Sequence, residues 1–241
     1  MTERKVSKMA KLYFRYGAMG ASKSANALMV KYNYEEQGKK ALLVKPDKAT
    51  RDGSTVIKSR IGLQSEAVSF TVVRKTVDDY KEKLDGLFSS VQEVAAQNEK
   101  SILDVDCVII DECQFLDVLD VYYIEYIVDN MDIPVICYGL RTDFQGQLFP
   151  ASAQLLAFAD YIEEIPTICW CGKKARFNAR LEDGRMVLKG IQYKEGGNES
   201  YTALCRKHFF MKALGPEDEE RARRQHDRKV VEEILGELNK N

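Results

Sequence analysis

The sequence predicts an α/β fold, a largely parallel sheet with helices on both faces followed by a small cysteine-bearing unit. Three observations carry that expectation. Through residues 1–165, short apolar runs alternate with longer segments whose apolar residues recur at helical spacing, as βαβ units require. Two of the runs, 105–110 and 133–138, read as strands buried in a sheet covered on both faces. Around Pro166 the pattern changes to short strands and turns.

Taken in order, residues 11–16 (KLYFRY) read as the first strand, and residues 25–36 repeat apolar positions at helical spacing until Gly38 stops the helix. Residues 40–45 (KALLVK) form the next strand. Residues 45–61 are rich in Asp, Thr, Ser and Lys, too polar for a core and long for a connector, so a surface loop is expected. A helix follows over 77–98, then the strand 105–110 ending at Asp111, a helix over 118–131 and the strand 133–138. Within 167–201, Asp183-Gly184 between two strand-like segments signals a hairpin. Beyond Pro216 about half the residues are charged; Val230, Val231, Ile234, Leu235 and Leu238 make only a thin apolar stripe, as a solvated terminal helix would. The expected division is 1–165, 166–210 and a tail, 211–241.

Composition narrows the class of function. The 241 residues carry 36 Lys+Arg against 37 Asp+Glu and are 45% hydrophobic, which excludes a disordered chain. Balanced charge argues against a whole-surface grip on nucleic acid or anionic lipid. The basic stretch 221–229 is interleaved with acids and lacks aromatics for base stacking. No run approaches the ~18–20 apolar residues of a membrane span. Residues 1–11 are polar and basic without the apolar core of a secretory signal, so a cytosolic protein is expected. Cys107, Cys113 and Cys137 lie in or beside apolar strands and read as reduced core residues.

Between the first strand and the first helix stands Gly17-Ala18-Met19-Gly20-Ala21-Ser22-Lys23-Ser24. A phosphate-binding loop needs small residues there, because successive backbone N–H groups turn inward around phosphate oxygens at a helix N-terminus. Lys23 would supply a point charge for the β- and γ-phosphates and Ser24 a hydroxyl for Mg2+. Ser22 occupies the position of the usual second glycine, and an ordinary strand-to-helix turn is the competing reading. Asp111-Glu112, at the end of a buried strand, is the second element: an Asp there holds the Mg2+ or its water, and the Glu accepts a proton. Both elements together read as a nucleoside-triphosphate site.

Cys169 and Cys171, with Cys205 and His208 further on, offer three thiols and an imidazole in two short clusters. Four such ligands suit tetrahedral Zn2+ with no open position, a structural metal; three reduced thiols beside a surface His is the plainer reading. His226, in the charged tail, reads as solvated.

Seven segments in order, GAMGASKS (17–24), SRIG (59–62), DECQF (111–115), TDFQG (142–146), CWCG (169–172), GGNESY (196–201) and CRKH (205–208), give the chain its likeness to a known family. Over about residues 11–210 it resembles the zinc-containing (type II) bacterial thymidine kinases. The resemblance implies a P-loop (RecA-like) domain with a small zinc-containing lid and loop over 166–210. It also implies transfer of the γ-phosphoryl of ATP, with Mg2+, to the 5′-hydroxyl of thymidine or deoxyuridine, in nucleoside salvage for DNA synthesis. A cytoplasmic homotetramer inhibited by dTTP, with no nucleic-acid or membrane partner, is implied as well. Position by position, Glu112 falls on the catalytic base. ATP contacts fall on Gly17, Ala18, Met19, Gly20, Ala21, Ser22, Lys23, Ser24, Arg51, Asp111, Glu112, Cys113 and Gln114. Phe144 falls on the aromatic near the thymine, and Gln192, Tyr193, Lys194, Glu195, Gly196 and Tyr201 on the nucleoside-holding loop. The chain departs from the family at Ser22, at the Cys-x-Cys pair where Cys-x-x-Cys is more widespread, and at Ala49, where several relatives carry an acid that Asp47 or Asp52 would replace. The runner-up reading is a P-loop ATPase or nucleotide-dependent switch with a structural zinc module; the chain has no Asn-Lys-x-Asp guanine-reading motif.

Overall fold

A computed structural model describes residues 9–49, 55–87, 102–192 and 200–238. These fall into two compact units, one within Met1–Gly17, Ser22–Arg141 and Leu148–Ile165, the other within Ala18–Ala21, Thr142–Gln147 and Pro166–Asn241.

In chain order the larger unit runs β1 (Leu12–Tyr16), α1 (Lys23–Glu36), β2 (Ala41–Lys45), β3 (Val56–Lys58), β4 (Gln64–Glu66), β5 (Val68–Ser69), α2 (Phe70–Leu87), β6 (Cys107–Ile110), a 3-10 turn (Cys113–Phe115), α3 (Val118–Met131), β7 (Val135–Gly139), α4 (Pro150–Phe158) and β8 (Tyr161–Glu164). Six strands form a sheet in the order β5-β2-β6-β7-β1-β8, every pairing parallel. The apolar runs explain this directly. Along β6, Val108 and Ile110 join one buried cluster while Cys107 and Ile109 join another; along β7, Val135 and Cys137 part from Ile136 and Tyr138 in the same way. A period-2 strand that is apolar at every position must bury both faces, and helices supply the cover. Cys107, Cys113 and Cys137 are free and buried, as expected.

Four parts of the larger unit differ from the sequence reading: the β3–β4 hairpin, the start of α2, helix α4 and strand β8. The polar 45–61 stretch is not wholly surface: β3 and β4 pair as an antiparallel hairpin, and Ile57 packs with Ala27, Leu28 and Leu43. One inward residue in a three-residue strand leaves no visible run. Helix α2 begins at Phe70, seven residues before the expected 77, because Phe70, Val73 and Val77 carry the buried stripe at i, i+3 and i+7. Helix α4, with Pro150 in its first turn, and strand β8 had no expectation at all. Strand β8 lies at a sheet edge and is mostly exposed, so it has no apolar signature; Asp160 just before it accepts from Leu12 N (2.9 Å) and Lys11 Nζ (2.9 Å).

The smaller unit contains β9 (Thr167–Ile168), β10 (Lys174–Ala175), β11 (Phe177–Glu182), β12 (Arg185–Met186), β13 (Tyr201–Leu204), α5 (Arg206–Met211) and α6 (Pro216–Leu238). Strands β12, β11 and β13 form an antiparallel sheet, with Asp183-Gly184 as the expected hairpin turn, both at positive φ. Its core is small: Cys169, Ala175, Ala179, Leu204, Cys205 and Phe209. Helix α6 starts at Pro216, with Glu217, Asp218 and Glu219 in the first turn, where acids oppose the helix dipole. Among the described residues no helix is long and apolar enough to cross a membrane.

Candidate active site and metal cluster

In the larger unit, the chain leaves β1 at Gly17 and re-enters helix α1 at Lys23, and it leaves β6 at Asp111. Parallel register brings these C-terminal strand ends to one edge of the sheet, where an open α/β fold has its ligand crevice. Lys23 is buried, its Nζ donating to the Gly17 carbonyl at 3.0 Å. Burial lowers its proton affinity; the Glu112 and Asp111 carboxylates act against that, and Arg60 adds to it. Asp111 is buried too and is hydrogen-bonded by the Ser24 hydroxyl. Desolvation and then the neighbouring Glu112 charge push its carboxyl up, with Ser24 and Lys23 pulling it back. Its Oδ1 has no hydrogen-bond partner among the described residues.

Glu112 follows at φ 55°, left-handed backbone that turns the chain sharply off β6. Gln114 pins it: Nε2 donates to Glu112 Oε2 at 2.7 Å while Oε1 accepts from Leu140 N at 2.9 Å. Gly139 is required beneath this turn, since a Cβ there would lie 2.5 Å from Cys113 Sγ and 2.7 Å from Gln114 Oε1. The Cys113 and Gln114 side chains are therefore occupied with the interior. Ser22 also takes a left-handed conformation, φ 55°, so the residue in the usual glycine's place adopts the backbone a glycine would take. Arg60, in the Ser59–Leu63 turn after β3, enters the electrostatic surroundings of Lys23; the SRIG segment was its signal, though no role was read from it.

The smaller unit holds the remaining loop residues and the aromatic. Gly20 has φ 80°, Ala21 N donates to Ala18 O at 3.2 Å, and Met19 N donates to Asn178 Oδ1 at 2.8 Å. Asn178 Nδ2 in turn donates to Thr142 O at 3.3 Å. Phe144 is buried with the Arg180 guanidinium 4.1 Å from its ring centre, a cation–π contact, and Arg180 Nη1 donates to Ile191 O at 2.9 Å. Gly190, at φ 143°, leaves room for that guanidinium: a Cβ would stand 2.7 Å from Nη2. Tyr201 opens β13, in register with Arg180, and Gln192 is exposed. Sequence reasoning missed Asn178 and Arg180; two polar residues inside FNARLE carry no motif. Arg51, Tyr193, Lys194, Glu195 and Gly196 lie outside the described residues.

Cys169, Cys171, Cys205 and His208 converge, all four ligand atoms within 4.8 Å of one another. A five-residue turn closes the Cys-x-Cys pair: Cys169 N donates to Lys173 O (2.8 Å), Gly172 N to Cys169 O (2.9 Å), and Gly172 sits at φ 79°. His208 Nδ1 lies 3.5 Å from both Cys169 Sγ and Cys205 Sγ, and Cys171 Sγ lies 3.9 Å from Cys205 Sγ. Zinc bonds of ~2.3 Å to sulfur and ~2.0–2.1 Å to nitrogen give tetrahedral edges of about 3.8 Å (S···S) and 3.5 Å (S···N), so the donor set fits. The cluster could hold a metal ion. His226 is exposed on α6.

The family profile described as "Thymidine kinase" matches residues 10–209. The thymidine kinase of Shewanella oneidensis (strain MR-1) is 45% identical over 202 residues, covering 83% of this chain and 97% of that one. That of Legionella pneumophila (strain Paris) is 47% identical over 202 residues, covering 83% and 90%. That of Streptococcus agalactiae (serotype Ia) is 43% identical over 203 residues, covering 84% and 98%. A solved structure titled as a DNA replication initiation factor overlaps with a TM-score of 0.36 at 14% identity, covering 66% of this chain and 40% of that one, too slight a likeness to carry any argument. The profile takes in the phosphate-loop turn, the Asp111-Glu112 pair and the cysteine cluster alike. The chain belongs to the thymidine kinase family and is an enzyme of that class.

Proposed function

We propose that the protein phosphorylates the 5′-hydroxyl of thymidine, and of deoxyuridine, with ATP. The observation that carries this is the gathering of Lys23, Ser24, Asp111 and Glu112 at the ends of β1 and β6. Residues 17–24 and Arg51 hold the phosphates of ATP, with Asp111, Glu112, Cys113 and Gln114 beside them, the latter two through backbone. The acceptor's 5′-oxygen attacks the γ-phosphorus; the bond from that phosphorus to the β,γ-bridging oxygen breaks and ADP leaves. Glu112 takes the hydroxyl proton, held in aim by Gln114, and Lys23 balances charge that moves toward the leaving phosphate. The unpartnered Oδ1 of Asp111 and the Ser24 hydroxyl are the groups that would hold Mg2+ brought in with ATP, which would supply charge neutralisation at the phosphates.

Phe144 supplies a flat platform for the base, and Gln192, Tyr193, Lys194, Glu195, Gly196 and Tyr201 hold the nucleoside largely through backbone. Zn2+ on Cys169, Cys171, Cys205 and His208 has a structural role in 166–210, with 1–165 as the nucleotide-binding domain and 211–241 as an appended helix. Family resemblance supports a cytoplasmic homotetramer in nucleoside salvage, with dTTP as feedback inhibitor.

The test is ATP consumption against a panel of nucleosides, with Glu112→Gln alongside the parent. Thymidine and deoxyuridine are expected to stimulate turnover, and Glu112→Gln to lower it by about 10²–10⁴-fold with ATP binding retained. Turnover by Glu112→Gln at the parental rate removes Glu112 from its role; ATP consumption indifferent to every nucleoside overturns the reading.

A further inference from the structure

Helix α6 begins beyond the residues the family profile covers, yet one of its side chains reaches the metal cluster. His208 is 3% exposed, and its two ring nitrogens face different ways. Nδ1 lies 3.5 Å from Cys169 Sγ and Cys205 Sγ, while Nε2 lies 3.2 Å from Glu219 Oε2. Nε2 is buried without an aligned hydrogen bond, so this carboxylate is the acceptor within reach of its N–H. The two oxygens of Glu219 divide their work: Oε1 receives Lys207 Nζ and Arg223 Nη2, and Oε2 is left toward the imidazole. Trp170 stacks on the same ring, centroids 4.3 Å apart and planes 18° from parallel, and its Nε1 donates to Ala213 O at 3.1 Å. The ring is thus held across its face by Trp170 and at its outer edge by α6.

We propose that Glu219 is a positioning residue for the metal: it keeps the His208 proton on Nε2, so that Nδ1 presents its lone pair to the ion. A metal-bound imidazole is a better ligand when its other N–H is given to a carboxylate, and losing such a partner weakens metal affinity by about 10–100-fold. The tail helix is on this account part of the metal site. The inference rests on reading the cluster as a zinc site.

The test uses the purified full-length protein. Zinc content is measured first, then zinc release into excess 4-(2-pyridylazo)resorcinol for the parent, Glu219→Ala, Glu219→Gln, and the double variant Lys207→Met with Arg223→Gln. Two-bond 15N–1H correlation of His208 reports the tautomer in each. Glu219→Ala is expected to release zinc about 10–100-fold faster and to lose the single Nε2-protonated form. Glu219→Gln, which keeps the shape and an acceptor oxygen, is expected to fall between it and the parent. The double variant, which removes the surface pairs and spares the contact to His208, is expected to stay within about twofold of the parent. Parental release by Glu219→Ala, or equal acceleration by the double variant, overturns the role of Glu219 while leaving the zinc site standing. A parent purified without zinc overturns both.

Discussion

The two units bury their polar groups under different conditions. In the larger, Lys23 and Asp111 sit at the C-terminal edge of a sheet whose two faces are each packed by their own apolar cluster, one centred on Val108, Ile110 and Phe70, the other on Ile109, Ile136 and Tyr138. None of those core side chains belongs to the proposed ATP-binding set except Cys113. In the smaller, two of the four candidate metal ligands, Cys169 and Cys205, are themselves members of a six-residue core. Stability and chemistry are therefore separable in the larger unit and one and the same in the smaller. A small core offsets little chain entropy by itself, and a metal bound at this cluster would make up the difference.

Metal removal is the largest effect expected from this contrast. Structural zinc is worth roughly 10–16 kcal/mol of folding free energy where the site does not preform. Stripping zinc with a chelator, or Cys169→Ser, is expected to unfold the smaller unit, read as loss of protection of amides in β11 and β13 by hydrogen exchange, while β6 and β7 stay protected. Equal loss in both units would break the contrast.

Next is Lys23→Met. Burial already penalises this ammonium, so the substitution is expected to move Tm by no more than ~3 °C, yet to lower turnover by roughly 10³-fold through loss of charge at the transferring phosphate. A large fall in Tm would mean that the site does hold the larger unit together.

The smallest effect sharpens the phosphate-loop turn. Ser22 holds φ 55° at a strain cost that glycine does not carry, against which glycine loses more backbone freedom on folding. Ser22→Gly is expected to stabilise by about 0.5–1 kcal/mol by thermal melting, with ATP affinity unchanged or better. Destabilisation would show that the serine side chain has a role of its own.

Much of the fold was legible because burial writes itself into sequence at a fixed period. The runs 105–110 and 133–138 announced two central strands, and Gly38 and Asp183-Gly184 announced their turns. Edge strand β8 and the β3–β4 hairpin were not legible, since an element with one buried residue or none has no pattern to read. For the candidate active site, residue types and order pointed to Lys23, Ser24, Asp111 and Glu112, while the props beneath them, Gln114 against Leu140 and the bare Cα of Gly139, follow from contacts between segments 25 or more residues apart.

By itself, then, the sequence determined the parallel α/β class, the acids at a strand end, the four residues of the candidate metal cluster and the family they point to. Each of those is a local matter of residue type, spacing and period. Only the tertiary structure decided that Ser22 takes up a glycine-like turn, that Arg180 lies over Phe144, and that Glu219, 11 residues past His208 and outside the family's matched span, faces that histidine's ring. Those outcomes depend on which distant backbone arrives beside which side chain, a property of packing that no window of neighbouring residues encodes.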